Sequence, residues 1–142
     1  MPYDFALTTI LPGAPQPVYE SWMSSEGHTA MTGGVAHIGK EVGTRFDAWD
    51  GYISGETVEL VPGQRIRQTW RTVHFGPDDV DSVIEIELKA EGEGTLLTLT
   101  HSNVPDGQTS YEESGWRQYY FEPMKRRFEW LRLRQSMLEA RE

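Results

Sequence analysis

The chain has 142 residues and a mass of 16.2 kDa, the length of one ordinary domain, which argues against separate cofactor and substrate lobes. Hydrophobic residues at 37%, with 5 Trp, 6 Tyr and 5 Phe, suffice for a sizeable core and argue against disorder, while the lack of cysteine excludes disulfides, thiolate metal sites and a cysteine nucleophile. Thirteen Lys and Arg against 22 Asp and Glu leave a net charge of −9, which disfavours nucleic acid and anionic lipid as partners.

No stretch approaches the roughly 20 apolar residues of a membrane span, and the start, Met1-Pro2-Tyr3-Asp4, lacks the parts of a secretory signal. A soluble, cytoplasmic protein of one domain over 1–142 is expected. The charge is uneven: 1–116 carries 18 acids and 6 bases, whereas 117–142 carries 4 acids and 7 bases. A solvated basic helix explains the tail better than a nucleic-acid site, because only Lys125, Arg126 and Arg127 are consecutive.

In chain order, 3–11 reads as a first strand, ended by Pro12-Gly13. A short helix is expected from Pro17 to about Ser25, because proline suits the first helical turn and Val18 with Trp22 gives one buried face. Residues 26–43, punctuated by five glycines, read as loop with one strand around 35–38. Strands 44–49 and 52–60 are joined at Asp50-Gly51, a dipeptide whose tolerance of positive φ suits a tight hairpin turn. After a reversal at Pro62-Gly63, residues 65–73 alternate, with Ile66, Gln68 and Trp70 on one face.

Beyond an acidic loop at 76–81, strands 82–89 and 95–102 form another hairpin around 91–94. Ile84, Ile86 and Leu88 share one face of the first, and Leu97, Leu99 and His101 one face of the second. Ser110 and Glu113 have capping-box spacing, and apolar residues at 116, 120, 124, 128, 131 and 138 predict a long C-terminal helix. Pro123 inside it predicts a kink or break between Tyr120 and Met124. A second apolar row, Tyr119, Trp130, Leu133 and Met137, exceeds what one sheet contact needs, so a homodimer through that face is an expectation.

A short helix, consecutive hairpin strands and a long terminal helix describe an α+β fold in which a curved antiparallel sheet wraps its last element and leaves a mostly apolar cavity beside it. Four segments also carry a resemblance: GTRFDAWDGYISG at 43–55, ELVPGQRIRQTWR at 59–71, LTLTHSNVP at 97–105 and GWRQYYFEPMK at 115–125. Together they resemble the activator of heat shock protein 90 ATPase homologues, within the START-like helix-grip (SRPBCC) superfamily. The resemblance implies a strongly curved antiparallel sheet gripping a C-terminal helix around a hydrophobic pocket. Chaperone activators of this family carry an additional N-terminal domain that engages the chaperone, and with a first strand at Tyr3 no counterpart is expected here.

Strand parity and helix phase choose Phe46, Trp70, Trp116, Tyr120 and Met124 as cavity-lining residues, with Met31 a candidate cap. Two polar groups share that inner face. Gln68 is either satisfied by a neighbouring group or meets a ligand's polar end, and His101 is either a strand-end histidine bonded to backbone or a general base at the pocket mouth. The faces of Trp49 and Tyr52, beside the hairpin turn, stay unassigned.

His28, His37, His74 and His101 are scattered, so no metal is expected, and no cofactor. The acidic loop of Asp78, Asp79 and Asp81 lacks a calcium-loop pattern, Gly92-Glu93-Gly94 joins two strands and makes no phosphate cradle, and no Gly-x-Ser-x-Gly elbow occurs. The leading expectation is non-catalytic binding of a small hydrophobic or amphipathic molecule between sheet and helix, with Gln68 and His101 orienting it. Two alternatives stay open: an interaction module that touches a chaperone or another protein through the C-terminal helix, and a cyclase or hydrolase using His101.

Overall fold

Seven strands among the described residues form one antiparallel sheet in the order β1-β7-β6-β5-β4-β3-β2. They are β1 (Tyr3–Leu11), β2 (His37–Ile38), β3 (Arg45–Ala48), β4 (Ile53–Val61), β5 (Arg65–Thr72), β6 (Ser82–Glu91) and β7 (Gly94–Val104). The computed structural model describes residues 2–107 and 114–140. The alternation expected of β5, β6 and β7 holds, and Ile66, Trp70, Ile84, Ile86, Leu97 and Leu99 are all buried on the inner face. The result is α+β: a curved antiparallel sheet with a C-terminal helix, the helix-grip arrangement.

Register places polar groups in one cross-strand row on that inner face. Thr57 lies opposite Gln68, Gln68 opposite Ile84, Ile84 opposite His101, and His101 opposite Phe5. One row above, Trp70 faces Ser82. Neighbours directly across strands are close enough to hydrogen-bond, and the site below is built from these two rows.

The first helix, α1 (Pro15–Trp22), begins two residues earlier than the sequence predicts, because Pro15 and not Pro17 takes its first position. Val18 and Trp22 are buried, as their spacing requires. A second helix, α2 (Ser25–Thr32), occupies part of the segment read as loop. Ser24 caps it by accepting from the Gly27 backbone N–H at 2.9 Å, and it ends at Gly33, with φ of 86°. Gly27 inside the helix and a weak apolar stripe hide it from pattern reading, while burial of His28 and Met31 holds it in place. Met31 is therefore core, and it does not border the cavity described below.

The expected two-residue turn at Asp50-Gly51 is a four-residue connection in which Trp49, Asp50 and Gly51 all have positive φ, at 52°, 56° and 87°. The left-handed run turns the strand phase and sends Trp49 inward. The C-terminal helix α3 (Glu122–Ala140) is preceded by a π-helical turn, Arg117–Phe121. This wide turn is the form taken by the expected break near Pro123, whose ring and missing N–H conflict with a regular turn before it. The capping box at Ser110–Glu113 lies outside the described residues.

Met124 and Phe128 bury the first half of α3 against the core, with Leu131 partly covered. From 132 to 140 every residue is exposed. No helix among the described residues is long and apolar enough to cross a membrane.

Candidate functional site

A cavity of about 460 Å³ opens between the β3–β4 turn, the adjoining ends of β4 and β5, and the π turn. Trp49, Tyr52 and Ile53 form one wall and Trp70 and Thr72 its floor. Gly115, Trp116, Tyr119 and Tyr120 close the helical side. Six of these nine residues are aromatic and none carries a formal charge.

Three of the seven residues chosen from the sequence, Trp70, Trp116 and Tyr120, line this cavity. Phe46, Gln68, His101 and Met124 are buried and do not line it. Phe46 backs the floor with its ring 6.0 Å from that of Trp70, and Met124 belongs to the helix–sheet core. The six lining residues that parity and helix phase missed are Trp49, Tyr52, Ile53, Thr72, Gly115 and Tyr119. Trp49 folds over Gly34, where a Cβ would collide with the indole, and meets Tyr119 edge-on at 5.6 Å. Tyr119, assigned to the outward row, is half exposed at the rim, because the π turn changes the helical phase.

Gln68 is satisfied by the protein. Trp22 Nε1 donates to its Oε1 at 3.0 Å, and its Nε2 donates to Thr57 Oγ1 at 3.1 Å. The amide thus pins α1 to the sheet.

His101 is wired between the two polar rows. Trp116 Nε1 donates to its Nδ1 at 3.1 Å. An indole nitrogen can only donate, so Nδ1 is unprotonated and Nε2 carries the hydrogen. Nε2 then donates to Ser82 Oγ at 2.8 Å, and Ser82 passes its own hydrogen to the Trp70 carbonyl at 2.6 Å. A Ser–His contact suggests a nucleophile and its base, but here the nitrogen facing the serine is already protonated and cannot take the hydroxyl proton. Burial lowers the His101 pKa to about 3, so the ring is neutral near pH 7.

His28, which the sequence left unassigned, completes the site from α2. Its Nδ1 lies 3.0 Å from the Trp22 carbonyl, an acceptor only, so Nδ1 carries the hydrogen. Nε2 accepts from the Tyr120 hydroxyl at 2.9 Å. Burial lowers the His28 pKa to about 4, against a smaller opposing effect of its bond to Trp22. Tyr120, fully buried, is pushed far above the usual phenol range, and Trp49 beside it lowers this only partly. Both histidines act as neutral connectors that fix Trp116 and Tyr120 in the cavity wall. Among the described residues, no three His, Asp or Glu side chains converge as metal ligands do.

The family described as "Activator of Hsp90 ATPase homolog 1-like protein" matches residues 13–129. The chain belongs to this family. The human "Activator of 90 kDa heat shock protein ATPase homolog 1" is 28% identical over 115 residues, covering 81% of this chain and 34% of the human protein. The chain therefore spans about a third of the length of the curated relatives it matches. Among solved structures, an HSP90 activator from Plasmodium falciparum superposes with a TM-score of 0.77 at 23% identity, covering 84% of this chain and 91% of that one. The Aha1 dimer from Colwellia psychrerythraea superposes with a TM-score of 0.71 at 15% identity, covering 88% and 95% of the two chains. The family model over 13–129 establishes the Aha1 family, and the solved structures its fold.

Proposed function

We propose that this member of the Aha1 family binds a small hydrophobic or amphipathic molecule without transforming it, in the cavity between the β3–β4 turn and the π turn. The observation that carries the reading is the wall itself: six aromatic side chains and no charged one around about 460 Å³. A ligand burying about 200 Å² of apolar surface there gains about 5 kcal/mol at about 25 cal/mol per Å². The fixed His28–Tyr120 and His101–Trp116 pairs keep the wall preorganised, so little of that gain is spent on ordering side chains.

Calorimetric titration against long-chain alcohols, aromatic ring compounds and phenols tests this. Thr72→Phe, which fills the floor, is expected to weaken any binder at least tenfold while leaving the circular dichroism spectrum unchanged. If no compound binds the natural chain, or if the filled variant binds equally well, the cavity is not a binding site.

A second reading, a protein-contact surface on α3, is favoured by one specific feature. Trp130, Leu133 and Met137 recur at the three- and four-residue steps of a helix–helix seam, and their exposures are 50%, 54% and 65%. Arg127 and Arg134 flank the Trp130 ring at 5.0 and 5.6 Å, so its edge remains the contact surface. The names of the relatives describe activation of a chaperone ATPase, and the Colwellia neighbour is a dimer. For this chain a homodimer through the seam is the simplest form of such contact. Light scattering at high concentration is expected to show a dimer that Leu133→Glu with Met137→Glu returns to monomer; a strict natural monomer removes it.

A further inference from the structure

The cavity has two unlike ends. Ile53, Trp70, Thr72, Trp116 and Tyr120 are between 2% and 5% exposed and form its inner part. Tyr52 and Tyr119 are 39% and 50% exposed and form its mouth. Trp49 joins these two: its ring meets Tyr119 edge-on at 5.6 Å, and its carbonyl accepts from the Tyr52 N–H at 3.2 Å.

The polar atoms of the inner part are already committed. Trp116 Nε1 donates to His101 and the Tyr120 hydroxyl to His28, while that hydroxyl is also a partner of Trp49. Thr72 Oγ1 accepts from the His74 backbone N–H at 3.2 Å. Trp70 Nε1 has no accessible surface, so this indole offers the cavity only its ring. At the mouth the case is the reverse. Among the described residues neither the Tyr52 nor the Tyr119 hydroxyl makes a hydrogen bond within the protein, and each belongs to a lining side chain with surface open to water or to an occupant.

A hydroxyl carried to the inner end would give up its hydrogen bonds to water and find none in exchange, whereas one left at the mouth keeps water and meets two phenols that both donate and accept. Resting on the reading of the cavity as a binding site, we infer that its occupant is a one-ended amphiphile: an apolar body that enters first, and a single uncharged hydrogen-bonding head, such as an alcohol or phenol hydroxyl, that stops at Tyr52 and Tyr119. The head is uncharged because no lining residue carries a charge to pair with it, and the net charge of −9 disfavours an anion in particular. Molecules with polar groups at both ends are rejected by the same wall.

The test adds hydroxyls to one skeleton stepwise. Calorimetric titration with naphthalene, 2-naphthol and naphthalene-2,6-diol separates the two ends, and octan-1-ol with octane-1,8-diol does the same for a chain-shaped body. The first hydroxyl is expected to leave affinity within about threefold, and the second, which has to go inside, to lower it at least about tenfold. Intermolecular NOEs on the natural chain should place the hydroxyl-bearing ring of 2-naphthol against Tyr119 and its other ring against Trp116 and Tyr120, a readout independent of any variant's folding. In Tyr52→Phe with Tyr119→Phe, which keeps both rings at exposed positions, naphthalene should bind as before and 2-naphthol at least about threefold more weakly than to the natural chain. A diol that binds within about threefold of its mono-ol, an inverted NOE pattern, or an unmoved 2-naphthol affinity in the double variant overturns the head-out assignment and leaves cavity binding standing. If no compound of either series binds, the cavity reading falls together with this one.

Discussion

Acidification from about pH 7 to about pH 4.5 is expected to cost the protein about 5 kcal/mol of folding stability, close to the whole stability of many domains. The effect comes from His28 and His101, whose folded pKa values are about 4 and about 3. In the unfolded chain both imidazoles titrate near 6.5. Between these limits the unfolded state binds protons that the folded state refuses, so stability rises with pH and falls as acid is added. Each histidine contributes about 2.5 kcal/mol over that interval, with a slope of about 1.4 kcal/mol per pH unit. The loss begins below about pH 6.5 and continues until the folded-state values are reached.

Urea denaturation at half-unit pH steps measures the slope directly. His101→Gln, whose amide can accept from Trp116 and donate to Ser82 without titrating, should halve it. A stability that stays level from pH 7 to 4.5, or an unchanged slope in His101→Gln, would show that these rings do not titrate as their burial requires.

Replacing Gly55 by alanine is expected to destabilise the fold by about 3 kcal/mol, lowering the melting temperature by about 10 °C. Gly55 pairs with Phe46 across β3 and β4, and a Cβ there would overlap both the Thr69 carbonyl oxygen of β5 and the Phe46 ring. The ladder is already irregular at this point, since the register shifts between Thr57 and Glu59 and the Glu56 N–H is served by Thr69 Oγ1 at 2.8 Å. Moving the carbonyl therefore disturbs the strand that carries Gln68 and Trp70. Gly92→Ala provides the comparison: its φ is 59°, but nothing lies within contact distance of the new methyl group, so only backbone strain of about 1 kcal/mol is expected. Equal melting temperatures for the two variants would show that the crowding at Gly55 relaxes freely.

What could be read from the chain follows from which forces act locally. The alternation of Ile66, Gln68 and Trp70, and of Leu97, Leu99 and His101, is legible because each strand presents one face to the core. That rule names Gln68 and His101 as inward polar groups, yet it cannot name what meets them. The partner of Gln68 is Trp22, 46 positions earlier in the chain, and that of His101 is Trp116. The position of Trp49 is lost for another reason: three successive left-handed residues reset the strand phase, and only one of them is glycine. α2 is missed because a serine cap and a glycine stop frame a segment with little apolar patterning of its own. Tyr119 is placed outward because a period of 3.6 residues takes no account of a π turn.

That turn also separates two duties of the terminal helix. Trp116, Tyr120, Met124 and Phe128 are all buried at steps of four, and in a regular α-helix each such step overshoots by about 40°, so the set would spiral away from the sheet. The wide turn between Trp116 and Glu122 takes up the excess. It works as a slip joint: the anchoring half, Met124 and Phe128, is clocked independently of the half that faces the cavity. A one-residue change in length at 117–121 would swing Trp116 away from His101 by about 100° while leaving Met124 and Phe128 seated, so the shape of the cavity wall depends on the length of this turn.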